Sequence, residues 1–198
     1  MITVLNLDIA AFLQTYWQKK PCVIRNALPD FTDFIDEHEL AGLAMEPELD
    51  SRVISKQAEQ WSVQQGPFED FSACQGQWTL LVQGVDRFCD DASELMQKFN
   101  FIPNWRVDDL MISFAVPGAG VGPHIDQYDV FLLQGKGSRR WRGGSPEGLT
   151  STQPVKGLCQ VDDFTPVIDC ELQPGDVLYI PPGWPHDGVT LSDSLTYS

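Results

Sequence analysis

In DIAAFLQTYWQKK, residues 8–20, Ile9, Phe12, Leu13, Tyr16 and Trp17 recur at helical spacing behind Asp8, a residue suited to capping, and Pro21 stops the run. DASELMQKFN, residues 91–100, predicts a second helix beginning at Asp91 or Ser93, with Leu95, Met96 and Phe99 on one side. PCVIRNAL leaves the first helix as a short strand, and SRVIS, WSVQQGPF and WTLLVQGV are strand-like in turn. From Asp109 the pattern changes to short strands broken by Gly and Pro: LMISFAV, HIDQYDVFLLQ, RRWRGG, PVIDCEL, DVLYIPP and HDGVTL. SPEGLTSTQP, residues 145–154, is rich in turn formers and is expected as a loop. Many short strands at close spacing predict a β-sandwich or barrel. The fold class expected is therefore mainly β (α+β), with a mixed α/β lobe over residues 1–100 and a barrel over 101–198, joined softly at 101–108.

A chain of 198 residues, 42% hydrophobic and 11% aromatic, is able to bury such a core. No apolar run is long enough to span a bilayer, and the opening MITVLNLDIAAFLQTYW lacks a basic leader and a small-residue cleavage site, so a soluble, cytoplasmic protein is expected. The five cysteines are scattered and never spaced as CxxC, which points to reduced thiols rather than a disulfide framework or a thiolate zinc site. Net charge is −15, and no Lys or Arg follows Gly157. That field disfavours nucleic acid and anionic membranes and favours a basic partner.

Candidate chemistry lies in two corners. GAGVGPHID bends the backbone before His124, and strand alternation sends His124 and Asp126 to one face. PGDVLYIPPGWPHDG delivers His186 after a Pro-Pro-Gly bend. The chain has only three histidines; His38, among acids on a helical stretch, is expected at the surface. Two neutral imidazoles and one carboxylate form a facial triad that leaves adjacent positions open, the arrangement that suits non-haem Fe(II) holding a cosubstrate and dioxygen. GSRRWRGG places Arg139 on the face opposite Arg140 and Arg142. An arginine inside an apolar barrel needs an anion, and its fork matches a carboxylate such as the distal end of 2-oxoglutarate.

GAGVGPHID and GDVLYIPPGWPH resemble the two cupin motifs. More closely, YWQKKPCVIR, DDLMISFAVPGAGVGPHIDQYDVFLLQGKGSRRW and PGDVLYIPPGWPHDG resemble the bacterial ribosomal oxygenases of the JmjC-domain family. The resemblance implies a double-stranded β-helix (jelly-roll, cupin type) and Fe(II)- and 2-oxoglutarate-dependent hydroxylation of an arginine in ribosomal protein number sixteen of the large subunit. It further implies His124, Asp126 and His186 as iron ligands, Arg139 as binder of the distal carboxylate and Ser113 as a further cosubstrate contact. Tyr128, Asp129 and Asp187 are placed by position as flanks of the substrate arginine. The family continues past the barrel with a helical dimerisation segment and a winged-helix-like domain, whereas this sequence ends at SLTYS with its last strand expected only to have begun. A homodimer is expected only with that further region. Two other readings stay open: a metal-binding cupin remnant without turnover, and a small-molecule 2-oxoglutarate dioxygenase.

Overall fold

The computed structural model describes residues 5–198. Helix α1 (Ile9–Thr15) begins at Asp8, whose Oδ1 accepts from the Ala11 N–H at 3.0 Å. It is shorter than its periodicity predicts, because the chain turns at Gln18 with φ 56° and Trp17 folds back to stack on Phe131 and Tyr179. Of its five apolar positions only Phe12 is buried, and Ile9 and Leu13 face outward. Strand β1 (Cys22–Ile24) follows. Helix α2 (Glu37–Leu43) is closed by a reciprocal Asp36–Glu39 capping box and carries His38 at the surface, as expected. Helix α3 (Asp90–Gln97) starts one residue before its predicted N-terminus.

The remaining elements are β2 (Ser51–Gln57), β3 (Gln60–Gln65), β4 (Gln77–Val82), β5 (Ile112–Ala115), β6 (His124–Ile125), β7 (Val130–Gln134), β8 (Arg139–Gly144), β9 (Ser151–Val155), β10 (Leu158–Val161), β11 (Pro166–Leu172), β12 (Val177–Ile180), β13 (Pro185–Thr190) and β14 (Ser194–Tyr197). An eight-stranded sheet runs β1-β12-β7-β14-β5-β4-β2-β3, and a four-stranded sheet runs β11-β8-β13-β6. Both are antiparallel throughout. Strands β1 to β4, from the first hundred residues, thus extend the same sheet that carries β5, β7, β12 and β14. Strand β14 is paired on both sides, to β5 and β7.

The two sheets close on each other as a jelly roll. Val130, Leu132, Leu178 and Ile180 of the larger sheet meet Trp141 and Leu172 of the smaller one. The other face of the larger sheet, with Leu133, Val177, Leu195 and Tyr197, packs against Leu40, Ala92 and Leu95 of the helices. Strands β7 and β12 are therefore covered on both faces, which is why VFLL and VLYI are unbroken apolar runs rather than alternating ones.

Two stretches differ from their sequence patterns. Residues 145–154 are not all loop: Ser151–Val155 forms β9, hairpinned to β10. Four of its five side chains are exposed, so no apolar alternation marks it. HIDQYDVFLLQ is not one strand either; it breaks after Ile125 and resumes at Val130, and the intervening turn presents Asp126.

Candidate functional site

His124 and His186 come from neighbouring strands of the smaller sheet, directly opposed in the β6–β13 pairing. Their ring centroids are 4.2 Å apart. Asp126 Oδ2 lies 3.4 Å from His186 Nε2 and 3.9 Å from His124 Nε2. One potential ligand atom from each of the three falls within 4.8 Å of the others, a spacing at which a single ion is able to take all three.

Each imidazole is oriented in the same way. His124 Nδ1 is 2.9 Å from the Gly122 carbonyl and His186 Nδ1 is 3.2 Å from the Trp184 carbonyl. A carbonyl only accepts, so each Nδ1 carries the hydrogen and each Nε2 keeps a free lone pair toward the centre. In both cases the carbonyl belongs to the residue two before the histidine, with Pro123 or Pro185 between. Gly122 holds φ +77°, and a Cβ there would fall 2.1 Å from Gln160 Nε2. That amide is already committed, donating to the Val121 carbonyl at 2.7 Å. The two ligand-bearing turns are also tied together, since the Gly183 N–H donates to the Asp126 carbonyl at 2.8 Å.

Electrostatics favours the ligating forms. Burial, assisted by the neighbouring His186, pushes the His124 imidazolium down to about 4, so the ring is neutral at pH 7. Burial alone would raise the Asp126 carboxyl, but the adjacent His186 and His124 and the Arg52 guanidinium outweigh it and hold the acid below its ordinary value.

Register places a second set of polar groups inside the barrel. Thr190 opposes Arg139 and Gly188 opposes Trp141, so Arg139, Trp141, Thr190 and His186 share the interior face of the smaller sheet. Across the larger sheet, Gln134, Thr196, Ser113, Leu81 and Arg52 stand opposite one another in a continuous row on its interior face. Arg139 is 5% exposed, and burial pushes its guanidinium down to about 10. Its Nε and Nη2, together with Thr190 Oγ1, Thr196 Oγ1 and Gln134 Oε1, are buried without a hydrogen-bond partner among the described residues. Native interiors leave few such atoms unpaired; the Arg139 nitrogens and the two threonine hydroxyls are donors that fit a bound polar anion, whereas Gln134 Oε1 only accepts. Arg140 and Arg142 face outward as expected, paired with Asp169 and with Asp163 and Asp187.

The three positional candidates divide. Tyr128 is 61% exposed, and burial of the rest of its side chain, with the Asp126 charge, raises its phenol. Asp129 instead accepts from the Tyr179 hydroxyl and from Gln18 Nε2, latching the end of α1 to the turn that bears Asp126. Asp187 lies on the outer face of β13 and binds Arg142 at 2.9 Å. Thr190, Thr196, Gln134 and Arg52 did not stand out in the sequence. Only Thr196 carries a legible signal, the polar–apolar alternation of SLTY in β14.

Among known proteins, the JmjC domain model matches residues 94–198. The ribosomal protein uL16 3-hydroxylase of Escherichia coli (strain K12) is 50% identical over 195 residues, which cover 98% of this chain and 52% of that protein. Of solved structures, the X-ray structure of E. coli ycfD superposes with a TM-score of 0.95 at 50% identity, over 100% of this chain and 53% of that one. YcfD, described as a ribosomal oxygenase from Escherichia coli in complex with cobalt and 2-oxoglutarate, gives a TM-score of 0.88 at 49% identity, over 98% and 51% of the two chains. The chain spans about half the length of these proteins. With a family match covering more than half of its residues and the jelly-roll fold in common, this chain belongs to the JmjC domain family.

Proposed function

We propose that this chain carries the oxygenase centre of an Fe(II)- and 2-oxoglutarate-dependent enzyme that hydroxylates an arginine side chain of ribosomal protein uL16. The observation that carries the reading is the buried guanidinium of Arg139, whose Nε and Nη2 have no hydrogen-bond partner among the described residues, facing into the same barrel as the histidine–aspartate trio. A metal-binding module without turnover has no use for it. His124 and His186 through Nε2, and Asp126 through Oδ2, would hold the metal; the donor set of two neutral imidazoles and a carboxylate fits Fe(II). Arg139 would take the distal carboxylate of 2-oxoglutarate in its fork, with Ser113 as a further contact, and Thr190 and Thr196 offer hydroxyls to the same ligand. Iron at this centre supplies activation of dioxygen, coupled to oxidation of 2-oxoglutarate to succinate and carbon dioxide, with one oxygen atom passing to the substrate.

The residues of the chain do the positioning. The Gly122 and Trp184 carbonyls fix the tautomer of both imidazoles, so no proton has to leave Nε2 before a metal is bound. Apolar walls from Val130, Leu132, Leu178 and Ile180 limit water around the cosubstrate. The protein's net charge of −15 suits a basic ribosomal partner, and the name of the E. coli relative specifies position 3 as the carbon modified. Action on a ribosomal protein in turn supports a cytoplasmic location.

The test is mass spectrometry of a basic uL16 peptide after incubation with the protein, Fe(II), 2-oxoglutarate and air, beside a His124→Ala control. A gain of one oxygen on arginine, absent in the control, is the expected result. Turnover of 2-oxoglutarate that is indifferent to every basic peptide would instead assign a small-molecule substrate.

A further inference from the structure

Arg52 is the member of the interior row that neither the metal trio nor the cosubstrate explains. It stands on β2 opposite Leu81, which in turn stands opposite Ser113. Its neighbour on the same face, Ile54, packs with Leu81 and Val121, so the side chain of Arg52 is directed into the barrel rather than toward the helices. Its Nε is buried and has no hydrogen-bond partner among the described residues. The chain carries 28 acidic residues against 13 Lys and Arg, yet no carboxylate among the described residues forms an ion pair with this guanidinium. The cluster beside it on that face, Ile54 and Leu81, is packed against by Val121, three residues before His124, so the interior face of β2 lies next to the turn that bears the first histidine, and the Arg52 charge acts on Asp126.

We propose that Arg52 clamps a main-chain carbonyl of the peptide substrate next to the target residue, and so positions the target side chain over the metal trio. This rests on the proposed function. The cosubstrate is not the ligand: its far carboxylate belongs to Arg139, and β2 lies two strands, about 10 Å, from the Ser113 strand. A basic peptide brings cationic side chains, which a guanidinium repels, and leaves its own carbonyl oxygens as the acceptors on offer. The cationic side chains have their own place nearby, since Asp108 and Asp109 line one pocket with Glu48 and with Asp50, which is two residues before Arg52. One arginine among acids therefore orients the peptide, main chain toward β2 and basic groups toward residues 108–109. Arg52 acts on substrate placement and takes no part in the chemistry at the metal.

The experiment measures binding of a fluorescein-labelled basic uL16 peptide to the full-length protein by anisotropy, with Mn(II) and 2-oxoglutarate present and oxygen excluded. Arg52→Gln and Arg52→Lys are compared with the wild type, and Mn(II) and 2-oxoglutarate affinities are measured alongside. Expected are a tenfold or greater loss of peptide affinity in Arg52→Gln, a smaller loss in Arg52→Lys, which keeps the charge but not the planar fork, and metal and cosubstrate affinities within twofold. In turnover, peptide KM rises while kcat changes little. If Arg52→Gln fails to fold, Arg52→Lys carries the comparison. Peptide affinity within twofold of wild type in the variants overturns the proposal, as does a parallel fall in Mn(II) affinity, which would make Arg52 a support for Asp126. Absence of peptide binding by the wild type sinks the proposed function itself, and this assignment with it.

Discussion

Replacing Arg139 by methionine is expected to stabilise the ligand-free protein while abolishing its response to 2-oxoglutarate. Arg139 is 5% exposed, and burial lowers its guanidinium from the ordinary arginine value to about 10. At about 1.4 kcal/mol for each tenfold change in proton affinity, the charged form in the folded protein is disfavoured by about 3 kcal/mol. Neutral pH lies well below both values, so the side chain stays charged on folding and the cost is present in full; it would be relieved only above pH 10. Methionine removes that cost and keeps an unbranched apolar stem, but forfeits the stacking of the guanidinium over Trp141 at 5.6 Å, worth about 1 kcal/mol. A net gain of about 1–2 kcal/mol corresponds to a Tm rise of roughly 2–8 °C in a chain of this size.

Ligand reverses the order. At a hundredfold excess over its Kd, 2-oxoglutarate adds about 2.7 kcal/mol to the wild type, more than the substitution gains. Thermal melts with and without 2-oxoglutarate, in the presence of Mn(II), therefore give variant above wild type without ligand and wild type above variant with it. A variant that melts lower than wild type without ligand and still shifts with 2-oxoglutarate would refute the reasoning, because Arg139 would then be a satisfied structural residue.

Gly122→Ala is expected to fold, by circular dichroism, but to lose tenfold or more in Co(II) affinity by titration, since the new Cβ collides with Gln160 and displaces the carbonyl that orients His124. Tyr179→Phe leaves the Asp129 carboxylate and the Gln18 N–H without their shared hydroxyl and should lower stability by about 1–3 kcal/mol in urea denaturation. Burial pushes the Cys22 and Cys74 thiols up to about 11, so at pH 8 both remain protonated, and exposed Cys159 should react with a thiol reagent well before them.

What could be read from the sequence divides along a physical line. Strands whose burial is one-sided or complete announced themselves through apolar spacing, as did the facial placement of Arg139 against Arg140 and Arg142. Elements held by something other than apolar burial did not. Strand β9 is nearly all exposed and exists through its pairing with β10, and α1 is cut short by Gln18 in a left-handed conformation, not by the Pro21 that looked like its stop. Asp129 illustrates the harder case. Its proximity in sequence to Asp126 suggested a role toward substrate, but its partner is Tyr179, fifty residues away, and no local pattern reports a contact of that separation.

The clustering of His124, Asp126 and His186 was legible for a reason that goes beyond the presence of two histidines. Each is preceded by proline, in GPH and in WPH, and in each the carbonyl before the proline receives the Nδ1 hydrogen. Proline contributes by subtraction: it fixes its own φ and has no N–H to compete for that carbonyl, so the residue before it presents its oxygen to the imidazole two positions on. The same three-residue device, used once in each of two paired strands, sets two Nε2 lone pairs toward one point and leaves Asp126 to be brought in by the turn after β6. On this argument the tripeptides matter more than the strand alternation that first suggested a shared face. Asp126 lies beyond the end of β6, where alternation no longer applies, and it is the Gly183 N–H, donated across to the Asp126 carbonyl from the turn preceding the second tripeptide, that ties its backbone into place.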